Sequence, residues 1–145
     1  MKTLNTFVLA LSAAAVLGTT ALHAQTRVLA DVPFDFTVQN VTMPAGQYAL
    51  QPLSNTSDAI RIVNLETRHS VGVLASRTLS AYKGKDTESG KLIFNRYGDR
   101  YFFSEVWTPS LRGRVAPSKQ ERAIQAIGAE RQMASVTISP GGGTQ

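Results

Sequence analysis

Two apolar runs, Lys91–Tyr97 and Arg100–Trp107, flank the dipeptide Gly98-Asp99. Glycine first in a two-residue loop is the signature of a type II′ β-hairpin. Six of the 11 aromatic residues fall between Phe94 and Trp107. With the turn at Gly98-Asp99, Tyr97 faces Arg100, Arg96 faces Tyr101, Asn95 faces Phe102 and Phe94 faces Phe103. One face then carries Leu92, Phe94, Tyr101, Phe103 and Trp107, and the other Ile93, Tyr97, Phe102 and Val106. Both faces are largely apolar, which places the hairpin inside the architecture. Near the turn each face gains an Arg–Tyr pair suited to cation–π contact.

The remaining chain also reads as strands. From Ala30 to Val38, apolar residues alternate strictly with Asp31, Pro33, Asp35 and Thr37, the pattern of a half-buried strand. Pro33 lacks a donor N–H and suggests a sheet edge. Met43-Pro44-Ala45-Gly46 reads as a turn. Gln47–Leu53 is a second strand, followed by a polar loop at Asn55–Asp58. Ile60–Leu65 and Ser70–Ser76 form a hairpin around Glu66-Thr67-Arg68-His69. Lys83–Gly90, the most polar stretch, reads as an exposed loop. Arg112 and Arg114 flank Gly113 in an irregular basic segment. Ser118 and Glu121 have capping-box spacing, so a helix of about ten residues runs to a stop at Gly128, with Ile124 and Ile127 as its buried stripe. A last strand near Met133–Ile138 precedes a glycine tail. The expected fold is all-β: one antiparallel sandwich-like or small-barrel domain of about seven strands with one short C-terminal helix.

The N-terminus reads as an export signal. Lys2 precedes an apolar run from Phe7 to Leu17, and Ala24 offers a cleavage site that leaves Gln25 as the new terminus. A cut after Ala21 is the alternative. Residues 1–24 are therefore assigned to the signal and 25–145 to the domain. The domain has a formal charge of +4, one histidine (His69) and no cysteine, so it has neither a disulfide nor a cysteine for lipid anchoring.

Four segments together resemble a family of small exported proteins of environmental, chiefly acidobacterial, bacteria. They are Val32-Pro33-Phe34-Asp35-Phe36-Thr37-Val38, Pro44-Ala45-Gly46-Gln47-Tyr48, Phe94-Asn95-Arg96-Tyr97-Gly98-Asp99-Arg100-Tyr101-Phe102 and Ser118-Lys119-Gln120-Glu121-Arg122. The resemblance implies secretion and a single β-rich domain. The family has no assigned biochemical function, so it supplies no catalytic residues.

The residues exclude several chemistries. One histidine and no cysteine leave zinc and copper without their usual ligands. Lys85-Asp86-Thr87-Glu88 lacks the acid density of a calcium loop. No nucleophile elbow, Walker-type loop or dinucleotide fingerprint is present, so no cofactor is expected. A charge of +4 and export argue against nucleic acid. Interrupting Gly and Pro, and the Gly-Thr-Gln end without a terminal aromatic, argue against an outer-membrane barrel. Asn40-Val41-Thr42 and Asn55-Thr56-Ser57 match the glycosylation pattern by chance in a bacterial chain.

Two readings of function remain. The first is a non-enzymatic structural or binding protein of the periplasm or cell surface, with Arg96, Tyr97, Arg100, Tyr101 and Trp107 as a platform for a glycan or anionic envelope polymer. The alternative is a carbohydrate-active enzyme using strand-borne carboxylates. Asp31 and Asp35 share a strand face about 13 Å apart at about 3.3 Å per residue. That exceeds the roughly 5–9.5 Å of glycosidase pairs, so Glu105 would have to complete the site.

Overall fold

The computed structural model describes residues 27–53, 58–77, 90–108 and 112–140. The export signal, the polar loop apart from Asp58, the segment before Gly90 and the glycine tail lie outside the described residues. The elements are β1 (Val28–Val32), β2 (Phe36–Val38), β3 (Val41–Met43), β4 (Gly46–Pro52), β5 (Ala59–Asn64), β6 (Ser70–Arg77), β7 (Gly90–Tyr97), β8 (Arg100–Trp107), β9 (Arg112–Val115), α1 (Lys119–Ala126) and β10 (Gln132–Pro140).

Eight strands close into an antiparallel barrel in the order β8-β7-β10-β1-β4-β5-β6-β9, with β9 pairing back to β8. Closure needs a close approach at Gly113. A Cβ there would lie 2.7 Å from the Ala75 Cβ, so only glycine lets β9 seat beside β6. The free edge of β8 is divided. Its C-terminal part holds β9 through Glu105–Trp107, and its N-terminal part holds β2 in parallel at Thr37–Phe102. The β2–β3 hairpin thus attaches beside the barrel end that carries the Gly98-Asp99 turn, here termed the upper end.

The all-β expectation holds, in its barrel form. Ten strands are seen instead of seven because the Ala30–Val38 run is two strands, because β3 runs into the expected turn at Met43, and because β9 lies in the segment read as irregular. The run breaks at Pro33, which has no N–H to continue the ladder. β1 is paired on both sides, to β10 and β4, so Pro33 marks a corner and not a sheet edge. Asp35 fixes that corner: its Oδ1 accepts from the Ala45 N–H at 2.8 Å. Burial keeps its alternation across the break, at Ala30, Val32 and Phe36, which explains why the pattern looks continuous. The hairpin between β5 and β6 has five linking residues, Leu65–His69, instead of four, with Arg68 at φ +62°.

The barrel interior is apolar and aromatic. Phe94 is fully buried, with ring centroids of Phe34, Phe36 and Phe103 at 5.1, 5.2 and 5.7 Å, all edge-on. Each such pair adds about 0.5–1.5 kcal/mol beyond the area buried. The outer wall is mixed: it carries Asp31, Gln47, Arg61, Ser76, Lys91, Arg114 and Thr137, together with exposed Leu74 and Met133.

The central hairpin follows the expected register from Tyr97–Arg100 to Phe94–Phe103, and Gly98 has φ +61° as a type II′ turn requires. Beyond Phe94 the register slips by one. Ile93 pairs with Glu105, and Ser104 is the extra residue of a β-bulge. The slip corrects the expected faces. Val106 turns into the core beside Leu92, and Trp107 turns to the outer wall.

α1 lies over the outer side of the upper hairpin. Ser118 caps it, its Oγ accepting from the Glu121 N–H at 3.1 Å. The Glu121 carboxylate turns inward to the hairpin and is 2% exposed. Gly128, at φ +78°, ends the helix as expected. The expected apolar stripe is corrected: Ile124 is half-buried and Ile127 is 82% exposed. The helix docks mainly through polar groups.

Candidate functional site

The five candidate platform residues occupy three separate places. Arg96 and Tyr101 sit on the inner side of the hairpin at the upper barrel end. The Arg96 guanidinium lies 5.4 Å from the Tyr101 ring centroid, and its Nε donates to the Gly98 carbonyl at 2.7 Å. Tyr101 is stacked on Phe34 at 3.9 Å and 13°, so at least one face of its ring is already covered.

Tyr97 and Arg100 belong to the outer side, under α1. Tyr97 is buried and donates to Glu121 Oε1 at 3.2 Å, while Gln125 Nε2 donates to the Tyr97 hydroxyl at 2.8 Å. Burial pushes the Tyr97 phenol above its ordinary pKa; Gln125 opposes this and the Glu121 charge adds to it. Arg100 does not pair with Tyr97 as the sequence suggests. It lies over Phe102, 5.2 Å from the ring centroid, and donates to Gln120 Oε1 at 2.9 Å. These groups hold the helix down.

Trp107 stands at the other end of the hairpin, on the outer wall. The bulge puts it directly between Lys91 of β7 and Arg112 of β9, its two cross-strand partners. Neighbouring strands are about 4.8 Å apart, so the Lys91 and Arg112 backbones lie roughly 10 Å from each other, one on each side of Trp107. The indole is fixed: Nε1 donates to Glu105 Oε2 at 2.8 Å. Glu105 Oε1 in turn accepts from Arg114 Nε at 2.9 Å and Nη2 at 2.8 Å. Glu105 is the only acid on β7, β8 and β9, and it shares this lower wall with Lys91, Arg112 and Arg114. The result is a half-buried, oriented tryptophan in a cationic strip. Lys91, Arg112 and Arg114 were not candidates from sequence. The period-two spacing of Arg112 and Arg114 is the signal that places both on one strand face.

The three carboxylates of the enzyme reading occupy different settings. Asp31 is exposed on the outer wall of β1. Asp35 lies past the Pro33 corner and holds the Ala45 N–H, so the single-strand spacing does not apply. Glu105 is engaged with Trp107 and Arg114. Among the described residues no group of three His, Cys, Asp or Glu side chains could hold a metal ion. His69 is exposed in the β5–β6 loop. Comparisons with protein-family models, curated proteins and solved structures return no match.

Proposed function

We propose that the protein is an exported, non-enzymatic binding component of the periplasm or cell surface, and that it holds an anionic glycan or envelope polymer on its outer wall at Trp107. The observation that carries this reading is the cross-strand row Lys91–Trp107–Arg112. An indole face packs against the apolar face of a sugar ring, and flanking cations attract its acidic substituents. Glu105 holds the ring in place, so little side-chain freedom is lost on binding. The Phe7–Leu17 run and the resemblance to exported proteins support the location.

The test uses the chain from Gln25 onward, with polygalacturonate as the anionic probe and dextran as the neutral control. Binding to polygalacturonate that weakens with added salt is expected. Trp107→Ala and the Lys91→Ala/Arg112→Ala pair should abolish it, while Arg96→Ala should retain it. Equal binding by all variants, or none by the parent, overturns the proposal. Expressed with its signal in a Gram-negative host, the protein should be recovered outside the cytoplasm beginning at Gln25. An intact Met1 on a membrane-bound product overturns the export assignment.

A further inference from the structure

The turn that follows α1 is apolar where a turn is normally polar. Chain reversals favour Gly, Asn, Asp and Ser. Here Ala126-Ile127-Gly128-Ala129 leads out of the helix, and all four residues are exposed, Ile127 at 82%. The turn is closed by two backbone bonds. The Gly128 N–H donates to the Gln125 carbonyl at 3.0 Å and the Ala129 N–H to the Ile124 carbonyl at 3.4 Å, which holds Ile127 outward. The helix is turned the same way: Glu121 is buried toward the barrel, while Ala123 and Ala126 are exposed.

Met133 adds a second apolar side chain to this quadrant of the wall. It is 74% exposed on β10 and is the cross-strand partner of Asn95, whose amide bonds to Glu121 of the helix. Ile127 and Met133 are the two most exposed large apolar side chains among the described residues. Cations surround them. Lys119, Arg122 and Arg131 are exposed on the same stretch of chain, where Glu130 is the one exposed acid. Arg100, with Asp99 beside it, lies against the helix through Gln120.

We propose that this quadrant docks on an anionic lipid bilayer, with Ile127 and Met133 entering the acyl boundary and Lys119, Arg122, Arg131 and Arg100 meeting the headgroups. Apolar side chains rimmed by Lys and Arg are the composition of a surface that lies on a membrane. The two side chains project, which suits a fluid layer; a protein partner would need a pocket for each. The cations supply the charge complementarity that selects anionic headgroups. Among the described residues no helix is long and apolar enough to cross a membrane, and the docking proposed is at the surface alone. Trp107 stands at the other end of the hairpin, so this surface is separate from that wall and does not rest on the reading given to it.

Sedimentation of the chain from Gln25 onward with lipid vesicles tests this. Vesicles of equal parts phosphatidylglycerol and phosphatidylcholine should carry the protein down, and pure phosphatidylcholine should not. Ile127→Ser and Met133→Ser, both at exposed positions, should each weaken binding about tenfold. The Arg122→Gln/Arg131→Gln pair should weaken it about thirtyfold, and Trp107→Ala should leave it unchanged. The chain has no cysteine, so a polarity-sensitive dye can be attached at one chosen position. On Ile127→Cys its emission should move to shorter wavelength with the mixed vesicles; on Arg61→Cys, on the outer wall of β5, it should not. Absence of binding in the parent overturns the proposal. Parent-like binding by Ile127→Ser/Met133→Ser also overturns it, since charge attraction alone would then suffice. A mass that rises with concentration in place of vesicle binding, and falls back in Ile127→Ser, would assign the surface to a second copy and overturn it as well.

Discussion

Asn95 and Glu121 are 26 residues apart in the chain, yet the Asn95 Nδ2 donates to the Glu121 Oε1 at 2.7 Å with both residues buried. This bond joins the helix to the barrel wall where an apolar contact would be usual. Tyr97 donates to the same oxygen, so a single carboxylate satisfies two groups of the hairpin. Removing it leaves both without that partner. Glu121→Ala should therefore destabilise the protein by about 2–6 kcal/mol, at about 1–3 kcal/mol per orphaned group. Glu121→Gln, which retains an acceptor oxygen, should lose clearly less. Urea unfolding of the two variants, with an Asn95→Ala/Glu121→Ala double-mutant cycle, measures both the cost and the coupling.

Phe94 and Arg96 are two residues apart on one side of β7 and should differ sharply. Phe94 is fully buried among three rings, so Phe94→Ala should cost about 3–5 kcal/mol. Arg96 makes a cation–π contact at the barrel end, and Arg96→Ala should cost about 1 kcal/mol or less. Equal losses in equilibrium unfolding would contradict this placement of the core.

Much of this arrangement can be read from the residues, and the failures have local causes. The Gly98-Asp99 turn sets the pairing out to Phe94–Phe103 because turn type and loop length determine a hairpin's register. The bulge is invisible because Ser104 is an ordinary strand residue, and the slip is decided by which side chains the barrel can enclose. Glu121 has the spacing of a cap, and Ser118 does cap the helix, but only the fold brings Asn95 and Tyr97 to its carboxylate. The Trp107 site depends on β9, which pairs antiparallel with β8 from Trp107–Arg112 to Glu105–Arg114 but, with four residues around Gly113, is too short to show a strand pattern. Strand periodicity says which face a residue takes, not which strand will lie beside it.

Deleting Ser104 tests the bulge directly. Without the extra residue, Glu105, Val106 and Trp107 keep their pairing with Ile93, Leu92 and Lys91 in an unbroken ladder, so Val106 stays in the core and Trp107 on the wall. Tryptophan emission and polygalacturonate binding should both stay parent-like. Emission shifted to shorter wavelength together with lost binding would contradict the assignment of Ser104 as the extra residue.

Tyr48 and Tyr97 make stability sensitive to alkali. Burial raises both phenol pKa values in the folded state. The folded protein therefore holds these protons at a pH where the unfolded chain, with phenols near 10, releases them. Their contribution is present in full below about pH 10 and is lost as pH rises through the folded values. The melting temperature should fall steeply above that point, and less steeply in Tyr97→Phe. A phenolate titration of the native protein showing all four tyrosines ionising together near 10 would contradict this.

The divided edge of β8 gives the barrel a weak seam. β9 has four residues, and among the described residues its ladders of three pairs to β6 and three to β8 complete the ring of eight strands. Few hydrogen bonds need to break there, so that stave should open at a lower free energy than β7, whose ladders to β8 and β10 have seven pairs each. Amide exchange in β9 would then run ahead of global unfolding. Since Arg112 and Arg114 leave with that strand, opening the seam would also dismantle the cationic strip, and a ligand bridging Lys91, Trp107 and Arg112 would act as a staple across it.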